Sequence, residues 1–98
     1  MKRYFVYMLQ CFDRTYYVGV TNDVDRRFAQ HRSGVDSECY TFERRPLRLI
    51  HVSEFTEIDQ AIAFEKKLKG WSHRKKRAFA SGDFGSIKRF SRGSNRED

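Results

Sequence analysis

The stretch YYVGVTNDVDRRFAQH, Tyr16 to His31, decides the fold. It opens on aromatic and β-branched residues that favour a strand. Thr21 or Asn22 then offers an N-cap, and Asp23 and Asp25 fall in a first turn where the helix dipole favours carboxylates. The pattern predicts a helix over 23–32, stopped at Gly34. Just upstream, RYFVYMLQC (3–11) reads as a strand and FDRT as a turn. The two strands therefore make a hairpin that feeds a helix. Both are apolar at nearly every position, which predicts a sheet covered on both faces.

Downstream, residues 35–46 are polar and mixed and read as a surface loop ending at Pro46. LRLIHVSEF (47–55) reads as a third strand. TEIDQAIAFEKKLKGW (56–71) carries a helical period, with Thr56 and Asp59 matching a capping box. SHRKKRAFASG (72–82) reads as a short basic helix stopped at Gly82. The expected organisation is one domain over residues 1–90 and a loose polar tail over 91–98.

The composition narrows the partners. The chain has 98 residues, enough for a thin core. Its 20 Lys and Arg against 13 Asp and Glu give a net charge of +7. A basic domain of this size tends to find polyanions, with nucleic acid the commonest. Cys11 and Cys39 are too few for a disulfide framework, and no Cys or His lies at zinc-ligand spacing. They read as thiols in a reducing compartment. The start MKRYFVYMLQCF imitates a signal peptide, but its apolar run is short, aromatic and without a small-residue cleavage site. No segment approaches the roughly 18 apolar residues needed to span a membrane. The expectation is a soluble, cytoplasmic protein.

Certain polar residues fall where the helical period wants apolar ones. On a projection of about 100° per residue, Glu65 lands about 20° from Ile58, within the arc of Ala61, Ile62 and Leu68. A carboxylate there needs a cation, a hydrogen-bonding network, a metal or a pocket open to water, because burying it bare costs several kcal/mol. An ordinary ion pair satisfies that need as well as a metal does. In the first helix His31 shares the face of Val24 and Phe28, and Arg27 borders it. A lone histidine on such a face is usually a satisfied core residue. Here Arg27, His31, Tyr7 and Tyr17 converge from neighbouring elements. Arginine forks onto phosphate, and histidine moves protons near neutral pH. Gly19 weakens a strand interior and marks a close approach by a ligand or another backbone.

From Lys66 to Arg77 there are seven Lys and Arg and no acidic residue. Lys69, Arg74, Lys75, Lys76 and Arg77 are the candidate phosphate contacts, against the plainer reading of a solvated helix face. Trp71, Phe79 and Phe84 could stack on bases, but core packing is the commoner job.

These residues together resemble the GIY-YIG nuclease superfamily, and within it the small single-domain bacterial proteins. Phe5-Val6-Tyr7 stands for the first motif and Tyr17-Val18-Gly19 for the second. Arg27 follows ten residues after Tyr17, and His31 four further on. EKKLKGWS, from Glu65, matches the helix that carries an acidic metal ligand. The resemblance runs to about Phe90. It departs from the family at Phe5, where the first glycine would stand, and in lacking a downstream asparagine before Asn95. The resemblance implies an α+β fold, a three-stranded antiparallel β-sheet flanked by helices. It also implies a metal-dependent endonuclease that hydrolyses DNA phosphodiesters. Glu65 would bind Mg²⁺ or Mn²⁺, and Arg27 would hold the scissile phosphate. Tyr7 or Tyr17 would help activate water, as a tyrosinate favoured by the basic groups, with His31 tuning or relaying the proton. With no obvious recognition helix, selection by nucleic-acid shape is expected over selection by base sequence. The alternative is a nucleic-acid-binding module on the same scaffold that does not cleave. A basic protein-interaction domain is a third reading. Tyr40, before Pro46, is a further candidate for the site wall.

Overall fold

The computed structural model describes residues 2–82. Tyr4–Gln10 (β1) and Tyr16–Thr21 (β2) form the hairpin, followed by Val24–Ser33 (α1), Arg48–Phe55 (β3), Ile58–Lys69 (α2) and His73–Ala80 (α3). The sheet is antiparallel in the order β2-β1-β3. β1 is thus central, which suits its run of four fully buried residues, Val6 to Leu9. The expected architecture, a three-stranded antiparallel sheet with flanking helices, is the one observed. The expected tail and Phe84 lie outside the described residues, as does the domain boundary at residue 90.

Side-chain alternation along β1 splits the core in two. Val6 and Met8 point to one face, where they meet Val18 of β2 and Ala61 and Leu68 of α2. Phe64, Trp71 and Phe79 close around that cluster. Trp71 and Phe79 meet edge to face at 5.4 Å, so their job is core packing. Tyr7 and Leu9 point the other way, to Cys11, Leu47, Tyr17 and Phe28. Helices cover both faces, as the unbroken apolar strands require.

Three local expectations need correction. The N-cap of α1 is Asp23, not Thr21 or Asn22. Asp23 has extended φ and its Oδ1 accepts from Arg26 N at 3.1 Å, while Thr21 Oγ1 accepts from Asp23 N at 3.1 Å. Thr21 thus supports the cap one residue pair upstream of it. The Thr56–Asp59 capping box does not form. Glu57 is the residue with extended dihedrals before α2, so the pattern is out of phase with the helix start, and no side chain caps it. The 35–46 segment is more than a surface loop. It holds a 3₁₀ turn at Phe42–Arg44 and a threonine, Thr41, that is 1% exposed.

The stops fall where the sequence puts them. Gly34 takes φ 71°, and its N–H bonds to Gln30 O and His31 O. A side chain there would be strained, and a Cβ would also lie 2.5 Å from Arg45 Nη1. For α3, Ser72 is the N-cap and its Oγ accepts from Lys75 N at 3.2 Å.

Candidate active site

Strand pairing aligns Tyr7 with Gly19. A Cβ on Gly19 would sit 2.5 Å from the Tyr7 hydroxyl oxygen. The close approach that a glycine in a strand signals is therefore made by Tyr7 of this chain, whose ring lies across the β2 backbone. That clearance lets the hydroxyl reach α1, where it meets His31 Nε2 at 2.9 Å. Tyr7 is 2% exposed and His31 4%.

The chain of hydrogen bonds continues and sets its own direction. His31 Nδ1 lies 2.8 Å from Thr41 Oγ1. Thr41 donates its hydroxyl to Cys39 Sγ at 3.5 Å. Its oxygen is then left to accept, so His31 Nδ1 carries the proton and Nε2 carries the lone pair. This tautomer is assigned from the network. Tyr7 therefore donates to His31. Burial, reinforced by the charge of Arg27, pushes His31 down to about 4, so it is neutral near pH 7. Burial, with Tyr17 adding to it, pushes Tyr7 up to about 12 against the pull of Arg27. The expectation that basic neighbours favour a standing tyrosinate fails at Tyr7, because desolvation outweighs the arginine.

Arg27 is half-buried on α1, and Nη1 donates to Gln30 Oε1 at 3.1 Å. Burial alone would lower its pKa. The hydroxyls of Tyr7 and Tyr17 more than offset that and raise it, which places the guanidinium against both tyrosines. The Tyr17 ring packs on His31 edge-on at 5.0 Å and stacks with Tyr40 at 6.2 Å. Arg44 lies 3.8 Å over the Tyr40 ring. Tyr40 thus does line the site. The structure brings Tyr7, Tyr17, Arg27 and His31 together on the α1 face of the sheet.

Glu65 is elsewhere. It rises from α2, which packs on the opposite face, and its side chain is 16% exposed. Its Oε2 pairs with Lys69 Nζ at 2.6 Å, one helical turn on. This cation is the partner that a carboxylate on an apolar arc needs. A cavity of about 250 Å³ at the β2 edge lies between Tyr17 of the α1-face group and Lys69, the partner of Glu65. Tyr16, Tyr17, Val18, Tyr40, Lys69 and Lys76 line it.

The basic helix divides. Lys69, Arg74 and Arg77 are exposed and Lys76 is half-buried. Lys75 differs from its neighbours: it is 6% exposed and its ammonium lies 4.7 Å from the Trp71 ring centroid, on the core side of α3.

Sequence reading missed Thr41, Cys39 and Gln30. Thr41 and Cys39 sit in a polar segment with no period to flag them. Their importance comes from a contact with a histidine that is close in space but 8–10 residues away in the chain.

Residues 3–78 match the GIY-YIG catalytic domain. The chain belongs to that family. It is a family of nucleases, so nucleic acid is the substrate class it implies. A UPF0213 protein of Halalkalibacterium halodurans is 40% identical over 78 residues, covering 80% of this chain and 82% of that one. The solution NMR structure of a UPF0213 protein from Bacillus halodurans superposes with a TM-score of 0.53 at 39% identity, covering 81% and 83%. That of a protein from E. faecalis gives 0.58 at 28%, covering 84% and 86%. Among the described residues, no helix is long and apolar enough to cross a membrane.

Proposed function

We propose that this GIY-YIG domain is a metal-dependent endonuclease that hydrolyses DNA phosphodiester bonds with little sequence specificity. The observation that carries the reading is Arg27 set against two tyrosines, beside a histidine whose Nε2 lies 2.9 Å from the hydroxyl of one of them. The arginine fork binds the scissile phosphate and stabilises the charge it gains in the transition state. Tyr17, on the cavity wall, orients the attacking water. The water's proton passes to the Tyr7 oxygen as the Tyr7 proton moves to His31 Nε2, which becomes a better acceptor once a bound phosphate offsets the Arg27 charge that lowers it. The new P–O bond forms as the bond to the leaving oxygen breaks. This relay needs no standing tyrosinate, in keeping with a Tyr7 pKa of about 12. Thr41 keeps Nε2 turned toward Tyr7 by holding Nδ1–H.

Glu65 would hold the metal. Among the described residues no three His, Cys, Asp or Glu side chains cluster, so a cage of protein ligands does not fit. Mg²⁺ or Mn²⁺ does fit a single sheltered carboxylate, since Mg²⁺ is held by one or two carboxylates with water and substrate oxygens completing its shell. Bound there, the ion would neutralise charge developing on the phosphate oxygens and sharpen a water nucleophile. Lys69, Arg74, Lys76 and Arg77 would supply phosphate contacts from the α2–α3 side. With no helix set out to read bases among the described residues, single-stranded, nicked or branched DNA are the substrates that such a small footprint would select by shape.

The Glu65–Lys69 pair favours a second reading, a non-cleaving nucleic-acid-binding module in which Lys69 satisfies the carboxylate permanently. One assay separates the two. Wild type and Glu65→Ala are incubated with end-labelled single-stranded, duplex and branched DNA in Mg²⁺, Mn²⁺ or EDTA. The nuclease reading predicts cleavage that EDTA abolishes and that Glu65→Ala lowers on the order of a hundredfold or more. Thermal stability should stay within about 1 kcal/mol, because the lysine partner is largely solvated and such pairs contribute little. Absence of cleavage on every substrate, with equal DNA binding by both proteins, would leave the binding module standing.

A further inference from the structure

Lys69 touches two places at once. Its ammonium pairs with Glu65, and its side chain also lines the cavity at the β2 edge. The two partners differ in freedom. Glu65 is 16% exposed and held by the body of α2, whereas Lys69 is 55% exposed on a flexible four-carbon stem. If either moves, it is the lysine. Across the cavity stands Lys76, which has no ion-pair partner among the described residues. Burial, and after it the charge of Lys69, lowers the Lys76 pKa, so the two ammonium groups sense one another. Tyr16, Tyr17, Val18 and Tyr40 complete the lining.

We propose that Lys69 is an exchangeable counter-ion: it leaves Glu65 when a divalent cation binds there, swings into the cavity, and with Lys76 binds the phosphate next to the scissile one. This rests on the nuclease reading above. Three physical points support it. A divalent ion and an ammonium a few ångströms apart on one carboxylate repel strongly in a half-buried setting. Once Lys69 has left Glu65, the cavity gathers two ammonium groups with no carboxylate among its described lining residues, so a phosphodiester is the ligand whose charge and hydrogen-bond acceptors fit. The cavity also shares Tyr17 with the reaction face, so a strand held at Arg27 has a path past Tyr17 toward the two lysines.

The exchange makes metal and phosphate binding mutually dependent. Without a strand, Lys69 competes for Glu65 and metal binding is weak. With a strand, the lysine has a better place to be, and each ligand tightens the other by the same factor.

The test is Mn²⁺ binding by titration calorimetry, with dimethyl phosphate as the phosphodiester probe. Lys69→Gln should bind Mn²⁺ about tenfold more tightly than wild type in the absence of probe, a coupling of ordinary size. Dimethyl phosphate should tighten Mn²⁺ binding by wild type and leave Lys69→Gln and Lys76→Gln unchanged. Lys69→Arg, which keeps the charge, should return the affinity toward that of wild type. Equal or weaker Mn²⁺ binding by Lys69→Gln, with cleavage intact in wild type, would overturn the exchange and spare the nuclease reading. Mn²⁺ binding by wild type that survives Glu65→Ala would overturn both, because the metal would then sit elsewhere.

Discussion

The two halves of the site are built to opposite specifications. On the α1 face Tyr7, His31 and Thr41 are buried and joined by bonds of 2.9 and 2.8 Å. At the β2 edge Glu65 and Lys69 make a single contact, one partner more than half exposed. The first arrangement can hold one geometry only, which is what proton transfer asks of its participants. The second can open and close at little cost, which suits groups that must meet an ion and a polymer arriving from solvent. On the proposed mechanism, rigidity is placed where the proton moves, and looseness where ligands enter.

The largest expected break of this contrast is in stability. Thr41→Val keeps the shape of the side chain and removes the acceptor for His31 Nδ1–H. A buried donor left unsatisfied costs about 1–3 kcal/mol. For a domain of this size each kcal/mol lowers Tm by roughly 4–8 °C. Thermal unfolding that leaves Tm unmoved would mean that the chain from Tyr7 to Cys39 is not locked. At the loose half, Glu65→Ala should barely move Tm, as argued above.

Acid should find the locked half next. His31 has a folded pKa of about 4, below its ordinary value of 6.5. Between those two values the unfolded chain binds a proton that the native protein refuses, so stability falls as pH drops from 6.5 toward 4 and is retained above 6.5. Melting curves across that window should show the loss, and His31→Gln should flatten it. A wild-type Tm that holds steady from pH 7 to 4.5 would contradict a buried neutral histidine.

The smallest effects separate two neighbours on α3. Lys76→Met should weaken DNA binding and reduce the salt slope by about one unit, as losing a phosphate contact does. Lys75→Met should leave the slope alone and remove the cation–π contact with Trp71, worth about 0.5–1 kcal/mol. Equal slopes for both variants would remove Lys76 from the binding surface.

How far these features could be read in advance follows the same divide. The strands and helices were legible because strand chemistry and helical period leave their mark on every turn. So were Gly34 as a stop and the convergence of Tyr7, Tyr17, Arg27 and His31, since each sits at a fixed step on a regular element. Glu65 stood out because it breaks a period. Thr41 and Cys39 were invisible, as their loop has no period to break. Lys75 and Lys76 were indistinguishable in a basic run. Adjacent positions on a helix point about 100° apart, and which one faces Trp71 depends on how α3 docks. The burial that raises the Tyr7 pKa is hidden from the sequence for a similar reason. The neighbours of Tyr7 could be counted from the sequence, whereas the depth of its burial is set by the strand pairing with Gly19 and by α1 above it.

The claim that the locked half moves the proton is tested most directly by Tyr7→Phe in single-turnover cleavage of labelled DNA with saturating Mg²⁺. The substitution keeps the ring that packs over Gly19 and deletes the hydroxyl between water and His31. The account predicts a loss of about 10²–10⁴ in the cleavage rate, with DNA binding and its salt dependence unchanged. Cleavage at the wild-type rate would contradict it, and would move the proton acceptor away from the Tyr7–His31 pair.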